Sequence, residues 1–358
     1  MRPGAIVIAR RRLWSQHIAQ PRFDHPSQVV AWLGAVQAQE YLSALWALGL
    51  RTRQATEASL EQALADKTVV RTWPMRGTIH FVEASDVRWM LALLTPRVVA
   101  RGAQRFRELG LDESVVARSK AVFASALQGG KQLKRDEMYS RLEQAGISTA
   151  GQRGYHLLWR SAQEGLICFA AREGKQHTFA LLDEWVPASK SLTRDESLAE
   201  VARRYFTGHG PATLQDFVWW SGLTVADARA GLEMVSPQLP QETIDEQTYW
   251  AAPDMPVTGE ASPTAFLLPS FDEYLVGYRD RGAVLNPSYA KQAAPGGGVL
   301  SATVVLDGQV GGTWKRTIKR DRIVLQVDPF SELGQAATHA VAAAVDRYSK
   351  FLGMPIEL

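Results

Sequence analysis

The hydrophobic pattern of the chain predicts pairs of helices, each pair followed by a two-stranded ribbon. Apolar residues recur at helical spacing over residues 29–36, and Ser27 stands before them as the expected N-cap of a helix. A second helix is expected over residues 42–49. Residues 69–73 and 77–82 alternate and are rich in β-branched side chains, which predicts two strands. Helices followed by such a ribbon are typical of a winged helix.

The same order of elements returns twice. Residues 133–145 and 154–164 predict two helices, and residues 166–182 predict a hairpin. A third copy is expected over residues 213–251, where Thr224 stands in the position of a helix N-cap. Three helix–helix–hairpin units of this kind are an internal repeat of architecture.

The last hundred residues have a β-rich pattern. Strands are expected over residues 299–306, 313–318 and 323–327, with a hairpin at Asp307-Gly308, and residues 336–352 form a closing amphipathic helix. We therefore predict an α+β fold of three tandem winged-helix units with a β-rich C-terminal domain. The expected segments are residues 1–110 (the first unit with flanking helices), 111–190, 191–260 and 261–358.

The charge of the chain is unevenly distributed. Residues 1–160 hold 23 Lys and Arg and 13 Asp and Glu, a net +10, whereas residues 161–358 hold 17 and 24, a net −7. A half-chain this positive indicates a polyanionic partner, and attraction to a phosphate backbone is the commonest reason to keep one. The alternative is that Arg-rich helix faces are simply solvated.

Several classes of protein are excluded. No apolar run approaches about 18 residues and no export signal follows the basic start, so we expect a cytoplasmic protein that does not bind membranes. The single cysteine, Cys168, excludes an internal disulfide and a multi-cysteine metal site, and is expected to be a buried small hydrophobe. Nucleotide-binding loops and common hydrolase motifs are absent from the sequence. We expect no metal, no cofactor and no obligate protein partner.

Six blocks of sequence occur in the order of one known family. The first is Gln37-Ala38-Gln39 after Trp32-Leu33-Gly34, and another is the stretch of residues 268–281, which contains Asp272-Glu273-Tyr274. Together with the other blocks they cover nearly the whole chain. These other blocks are residues 71–80, 181–185, 210–213 with 219–223, and 312–316. In them the chain resembles the AlkZ-like winged-helix DNA glycosylases of bacteria.

The resemblance implies a fold, a substrate and an activity. It implies three tandem winged helices around a basic channel for duplex DNA, and hydrolysis of the N-glycosidic bond of alkylated bases. The catalytic motif of the family is Gln-apolar-Gln in one branch and Gln-apolar-Asp in another, and it falls on Gln37 and Gln39 here. The chain is therefore similar to the first branch, which resembles enzymes for bulky N7-alkylguanines and interstrand crosslinks.

Two neutral amides suffice for such a reaction only because of the leaving group. An N7-alkylguanine is already cationic, so it departs without a proton donor. The remaining task is to hold a water against the anomeric carbon. A Gln carbonyl accepts a hydrogen bond from that water while its amide donates to phosphate or sugar oxygens, and the gain is one of positioning. We expect Gln37 and Gln39 to orient the attacking water together.

The spacing of the motif sets a geometric condition. Residues i and i+2 of a regular helix point about 200° apart at roughly 3.6 residues per turn. Gln37 and Gln39 can therefore face one site only from a helix end or from a loop between two helices. The alternative is an exposed Gln pair at the rim of a packed helix.

Six basic residues are candidate DNA contacts. Arginines on a predicted wing would grip phosphates, and Arg153 opens a predicted helix, where an N-terminus and a guanidinium make an anion site. Trp314-Lys315-Arg316 either enters a groove of the duplex or is a core Trp with two solvated cations. The full set is Arg51, Arg71, Arg76, Arg153, Lys315 and Arg316.

Three further residues are candidates for a pocket: Thr78, His80 and Asp272. His80 either lines the pocket or is a buried, hydrogen-bonded strand residue. The adjacent carboxylates Asp272 and Glu273 suggest a metal or general-base site, but neighbours on a strand face opposite sides and no nearby His completes a ligand set. Pairing of Asp272 with Arg279 or Arg281 is the other expectation.

The predicted function is that of a monofunctional DNA glycosylase that releases bulky or cationic alkylated bases from duplex DNA. No Lys stands in the motif to form a Schiff base, so we expect no lyase activity. The alternative is a non-catalytic winged-helix DNA-binding protein, such as a transcription regulator. A small-molecule hydrolase using Asp272 and Glu273 is a third possibility.

Overall fold

The computed structural model describes residues 4–186, 189–253, 264–296 and 300–358, and they form an α+β fold, as expected. The chain divides into two compact units. Unit 1 comprises Met1–Glu61, Leu198–Trp220 and Thr224–Leu358, and unit 2 comprises Gln62–Ser197 and Ser221–Leu223. The four segments inferred from the repeats follow the order of the chain, and they stay a prediction.

The α-helices, in chain order, are α1 (Ala5–Ser15), α2 (Pro26–Leu33), α3 (Tyr41–Gly49), α4 (Glu57–Ala65), α5 (Val87–Glu108), α6 (Glu113–Leu127), α7 (Arg135–Gln144), α8 (Arg153–Gln163), α9 (Leu182–Trp185), α10 (Arg194–His209), α11 (Leu214–Ser221), α12 (Val225–Val235), α13 (Glu273–Val276), α14 (Ala290–Ala293) and α15 (Gln335–Leu352). Within the described residues, no helix is both long and apolar enough to cross a membrane.

The β-strands are β1 (Val36–Gln37), β2 (Val69–Met75), β3 (Thr78–Glu83), β4 (Leu133–Lys134), β5 (Ile167–Glu173), β6 (Gln176–Leu181), β7 (Gln241–Ile244), β8 (Gln247–Trp250), β9 (Ala265–Leu268), β10 (Thr303–Leu306), β11 (Gln309–Ile318), β12 (Ile323–Pro329) and β13 (Ile356–Glu357). Val299, where the sequence pattern begins a strand, lies outside the described residues, and the described strand begins at Thr303.

Helix α2 begins before the residue that the sequence pattern indicated. Its N-cap is His25, and Pro26 occupies the first helical position, where its fixed φ suits a helix and its missing N–H costs nothing. The side chain of Gln28 accepts a hydrogen bond from the His25 backbone at 3.0 Å. The expectation that Ser27 caps this helix is therefore wrong. Thr224 does cap α12, because its hydroxyl accepts from the backbone N–H of Asp227 at 3.0 Å.

Unit 2 contains an antiparallel sheet in the order β3-β2-β5-β6-β4, covered by helices α5 and α8. Strands β2 and β3 join through Arg76 and Gly77, both with positive φ (54° and 78°), as a two-residue hairpin turn requires. Cys168 is fully buried in β5, as expected, and burial raises the pKa of its thiol. This unit holds the helix–helix–hairpin elements α7, α8, β5 and β6.

Unit 1 contains a five-stranded sheet in the order β13-β12-β11-β10-β9, in which only β12 and β13 pair in parallel. Helix α15 lies against this sheet and carries Tyr348, whose ring centroid is 4.7 Å from that of Trp46 on α3. The Trp46 indole donates to the Leu267 carbonyl of β9 at 2.7 Å. These contacts anchor α3, and with it the loop that precedes α3, to the core of unit 1.

Candidate functional site

The Gln-Ala-Gln motif lies in an extended segment between α2 and α3, so the geometric condition set by its spacing is met. Val36 and Ala38 are buried (1% and 0% exposed), whereas Gln37 is half-buried and Gln39 is exposed. Burial therefore alternates along residues 36–39, and the two glutamines are the more exposed positions of the motif.

Both ends of this loop are set by local chemistry. Gly34 ends α2 with φ 81°, and a Cβ there would lie 3.2 Å from the ring of Trp220, so the position requires glycine. Glu40 caps α3, because its carboxylate accepts from the backbone N–H of Ser43 at 2.9 Å. The motif consequently lies in a seven-residue connection, residues 34–40, between the two helices.

A buried carboxylate holds the backbone of the motif. Glu273 Oε1 accepts a hydrogen bond from the backbone N–H of Gln37 at 3.1 Å. Glu273 Oε2 accepts from the Trp220 indole at 2.9 Å and lies 3.2 Å from Nε2 of His209. All three of these side chains, Glu273, Trp220 and His209, are 0% exposed. These four residues come from β1, α10, α11 and α13.

The neighbouring carboxylate is held as firmly. Asp272 receives both terminal nitrogens of Arg51, at 2.8 and 2.9 Å. Arg51 also donates to Gln16 Oε1 at 2.8 Å, and Gln16 donates to the Tyr278 hydroxyl at 3.0 Å. That hydroxyl donates in turn to the backbone carbonyl of His209 at 2.6 Å. A continuous buried chain of hydrogen bonds thus joins the surroundings of Asp272 to those of Glu273.

This arrangement corrects the expectations for Asp272. It is the N-cap of α13, with its Oδ1 accepting from the Tyr274 N–H at 2.9 Å, and not a strand residue. Its partner is Arg51, not Arg279 or Arg281. Because it is 1% exposed, it does not line an open pocket. The sequence shows no His near these carboxylates, whereas the fold brings Nε2 of His209 to 3.2 Å from Glu273.

Two predicted DNA contacts are bound to other groups of the protein. Arg51 is 1% exposed and bound to Asp272, so it does not reach a phosphate, and that prediction is wrong. Arg153, at the start of α8, donates to the carbonyls of Leu109 and Gly110 after the end of α5, and to that of Ser148 at 2.9 Å. Its guanidinium therefore caps a helix terminus. Arg153 is half-exposed, so its contact with DNA stays a prediction.

Four predicted residues of unit 2 lie on strands β2 and β3 or in the turn that joins them. Arg71 is 6% exposed, with its guanidinium 4.4 Å from the ring centroid of Phe169. His80 is fully buried, 3.0 Å from the Thr78 carbonyl and 3.2 Å from Arg76. His80 is therefore the buried, hydrogen-bonded strand residue of the two alternatives. Thr78 and Arg76 are half-exposed, and their proposed roles stay predictions.

Two predicted DNA contacts of unit 1, Lys315 and Arg316, lie on the β11–β12 hairpin. Trp314 is a core residue, 5% exposed, whose indole donates to the Leu268 carbonyl at 2.9 Å. Lys315 is exposed, whereas Arg316 is half-buried, and that burial lowers its pKa while Glu40 and Glu57 raise it. Lys319 and Arg320, at the tip of the hairpin, are also exposed. Sequence reasoning passed over these two residues, although the run Lys319-Arg320-Asp321-Arg322 was visible.

Among the described residues, no group of three or more His, Cys, Asp or Glu side chains is placed to hold a metal ion.

With this geometry established, the comparisons with known proteins agree on a class. Residues 30–351 match the family model described as "DNA glycosylase AlkZ-like". The chain belongs to the AlkZ-like DNA glycosylase family, which confirms the resemblance expected from the sequence.

Two relatives from Streptomyces sahachiroi illustrate the similarity. A protein named "Interstrand DNA cross-link repair glycosylase" is 26% identical over 351 residues, covering 93% of each chain. The solved structure of the "Streptomyces sahachiroi DNA glycosylase AlkZ" matches with a TM-score of 0.82 and 24% identity, over 100% of both chains. The fold of the whole chain is therefore one that has been solved.

Proposed function

We propose that this protein is a monofunctional DNA glycosylase that hydrolyses the N-glycosidic bond of N7-alkylguanine-type bases, bulky or crosslinked, in duplex DNA. Gln37 and Gln39 orient the attacking water. The observation that carries this proposal is that both glutamines lie in a non-helical segment, each more exposed than its apolar neighbours, with the backbone of Gln37 held by Glu273.

The chemistry needs no acid and no buried base. In an N7-alkylguanine the bond between C1′ and N9 breaks with its electron pair passing to the base, whose positive charge is thereby neutralised. The water oxygen then bonds to C1′, and its proton leaves to solvent. A Gln carbonyl accepts a hydrogen bond from that water and so fixes its direction of attack. Neither Asp272 nor Glu273 contacts the water or the base, since both are buried and accept from protein donors.

A site without charged groups is selective because it assists the reaction only slightly. It gives no proton to a leaving base and supplies no carboxylate at the sugar, so an ordinary purine nucleoside stays intact. A cationic adduct supplies its own driving force. The name of the relative from Streptomyces sahachiroi favours crosslinks among the possible adducts.

DNA binding is proposed to come from the helix–helix–hairpin elements acting as three tandem winged helices, and from exposed cations. The described repeats of α7-α8-β5-β6 and α11-α12-β7-β8 are consistent with this organisation. In unit 1, the cations nearest to solvent on the β11–β12 hairpin are Lys315, Lys319 and Arg320. Phosphate contacts of this type fix position on the duplex without reading sequence.

The test is release of a defined lesion. Duplex DNA carrying N7-methylguanine, or a nitrogen-mustard crosslink, is incubated with the protein, and free base and abasic sites are measured with and without alkali. We expect base release, with strand cleavage only after alkali. The Gln37→Ala/Gln39→Ala variant should lose at least about 100-fold in rate, the size of a lost positioning effect.

A matched control makes the same substitutions on exposed helix positions. Gln62→Ala/Gln104→Ala changes two exposed glutamines of α4 and α5 and should leave the rate unchanged. Undiminished release by Gln37→Ala/Gln39→Ala would refute the assigned mechanism. Tight duplex binding without release from any alkylated substrate would instead favour a non-catalytic DNA-binding protein.

A further inference from the structure

We infer that Glu273 is a positioning residue of the glycosylase reaction: its buried carboxylate fixes the backbone from which the Gln37 side chain reaches the water. This inference rests on the proposed role of Gln37. Glu273 does not touch DNA or water in this role, because it acts entirely through the Gln37 amide.

The carboxylate is surrounded by donors. It accepts from the Gln37 N–H on one oxygen, and from the Trp220 indole on the other. Nε2 of His209 lies 3.2 Å from the second oxygen, and in the tautomer that carries its proton there it donates to that oxygen as well. The backbone amide and the indole are obligate donors. Only a group with two acceptor oxygens satisfies all three.

Stability alone is a weak reason for this arrangement. Burying a carboxylate is unfavourable because its hydration is lost, and buried ionic sets are often no more stable than apolar residues of similar size. What these hydrogen bonds do provide is a fixed position for the backbone of Gln37. Glu273 ties a loop residue to α10 and α11, which are regular helices of the core, over a sequence separation of 236 residues.

The position of Glu273 is itself fixed by its neighbours in the chain. The preceding residue, Asp272, is held by two hydrogen bonds from Arg51, and Phe271 before it has a φ of 60°, an uncommon conformation for a non-glycine residue. On the far side of α13, the Tyr205 hydroxyl donates to the Gly277 carbonyl at 2.8 Å. The short helix that carries Glu273 is thus pinned at both ends.

The consequence is kinetic. A misplacement of about 1 Å at a catalytic group can cost about 100-fold in rate, whereas the exposed surface that meets DNA is unchanged. Loss of the anchor should therefore lower the rate of base release at saturating DNA and leave DNA affinity within about twofold.

The test uses Glu273→Gln, which replaces one acceptor oxygen by a donor group. A Gln has one acceptor oxygen and one donor NH₂. Its oxygen is best placed toward Trp220 and His209, where it accepts twice, which turns the NH₂ against the Gln37 N–H. We expect single-turnover release of N7-methylguanine to fall 10- to 100-fold, and exchange of the Gln37 amide hydrogen, followed on a peptide covering residues 34–40, to accelerate.

A second substitution should restore the hydrogen bond to the backbone N–H of Gln37. Trp220→Phe removes one obligate donor, and His209 can present Nε2 as an acceptor in its other tautomer, so the Gln oxygen is free to turn to Gln37. Trp220→Phe/Glu273→Gln should therefore be faster than Glu273→Gln alone, with Trp220→Phe alone as reference. Glu332→Gln, the same change at an exposed position, should have no effect.

The outcomes are distinct. Additive effects of the two substitutions, or a Glu273→Gln rate within twofold of the unmodified protein, would overturn the positioning role if Gln37→Ala/Gln39→Ala still abolishes release. If that double variant retains release, the proposed mechanism fails and the positioning role fails with it. Should Glu273→Gln not fold, Glu273→Asp keeps the charge but is one methylene shorter, and the same loss of rate is expected.

Discussion

The charged residues at the start of α13 are buried, whereas those at the tip of the β11–β12 hairpin are exposed to solvent. Asp272 and Glu273 are adjacent carboxylates without contact to water, and every contact described for them is to a protein donor. Lys319 and Arg320 are adjacent cations in full contact with solvent. The first pair is committed to the protein, whereas the second remains available to a partner.

The physical reason is hydration. Removing an ion from water costs several kcal/mol, which only well-placed partners repay, whereas exposed ion pairs contribute about 0–1 kcal/mol and exchange partners readily. Residue type alone therefore does not assign a role. Arg51 and Lys315 are both cations predicted to bind DNA, and only burial separates them.

The largest effect should come from breaking the buried set. Arg51→Met leaves the Asp272 carboxylate buried without its cation, and should lower the free energy of unfolding by about 3–5 kcal/mol. Chemical denaturation measures this. Arg53→Met is the matched control, because Arg53 forms an exposed ion pair with Asp24 and should cost at most about 1 kcal/mol. Equal losses in the two variants would erase the distinction between the two regions.

Substitutions in the β11–β12 hairpin should change the affinity for DNA and leave the free energy of unfolding unchanged. Lys319→Gln/Arg320→Gln removes two exposed charges, and if both meet phosphates the slope of log affinity against log salt should fall by about 2. Affinity at moderate salt should drop on the order of tenfold, equally for all duplex sequences. An unchanged salt slope, measured by fluorescence anisotropy, would show that this hairpin does not contact the backbone of DNA.

A pH-dependent effect is expected from His17, a buried group that stays uncharged. Burial, with the nearby charges of Arg22 and Arg51, lowers the pKa of His17 from 6.5 to about 4. Between these values the unfolded chain binds a proton that the folded protein does not. Stability therefore falls as the pH drops from about 6.5 to 4, no more steeply than about 1.4 kcal/mol per pH unit for this group, and levels off below.

His17→Asn tests this dependence. Asn adopts the positive φ of 54° at this position more readily than most residues and does not titrate. The variant should lose less stability than the unmodified protein over the same pH range, as followed by thermal unfolding. His177, whose pKa burial lowers to about 3, remains in both proteins and supplies the common background. Parallel pH profiles would show that His17 contributes nothing to the acid sensitivity.

The sequence by itself determined the local and periodic features of this protein. The α+β composition follows from apolar periodicity, and the non-helical course of residues 37–39 follows from the i, i+2 spacing of two amides that must share a side. The turn at Asp307-Gly308 follows from the positive φ that this pair readily adopts. Family membership follows from blocks of sequence that span the chain.

Only the tertiary structure decided which charges are buried and what they hold. Arg51 meets Asp272 across 221 residues and Gln37 meets Glu273 across 236, and nothing in either neighbourhood of the sequence marks such pairs. The sequence does not show whether a charged side chain will be buried or exposed to solvent, because its hydration depends on the packing of every element around it. The roles of Arg51, Asp272 and Glu273 accordingly emerge only once the chain has folded.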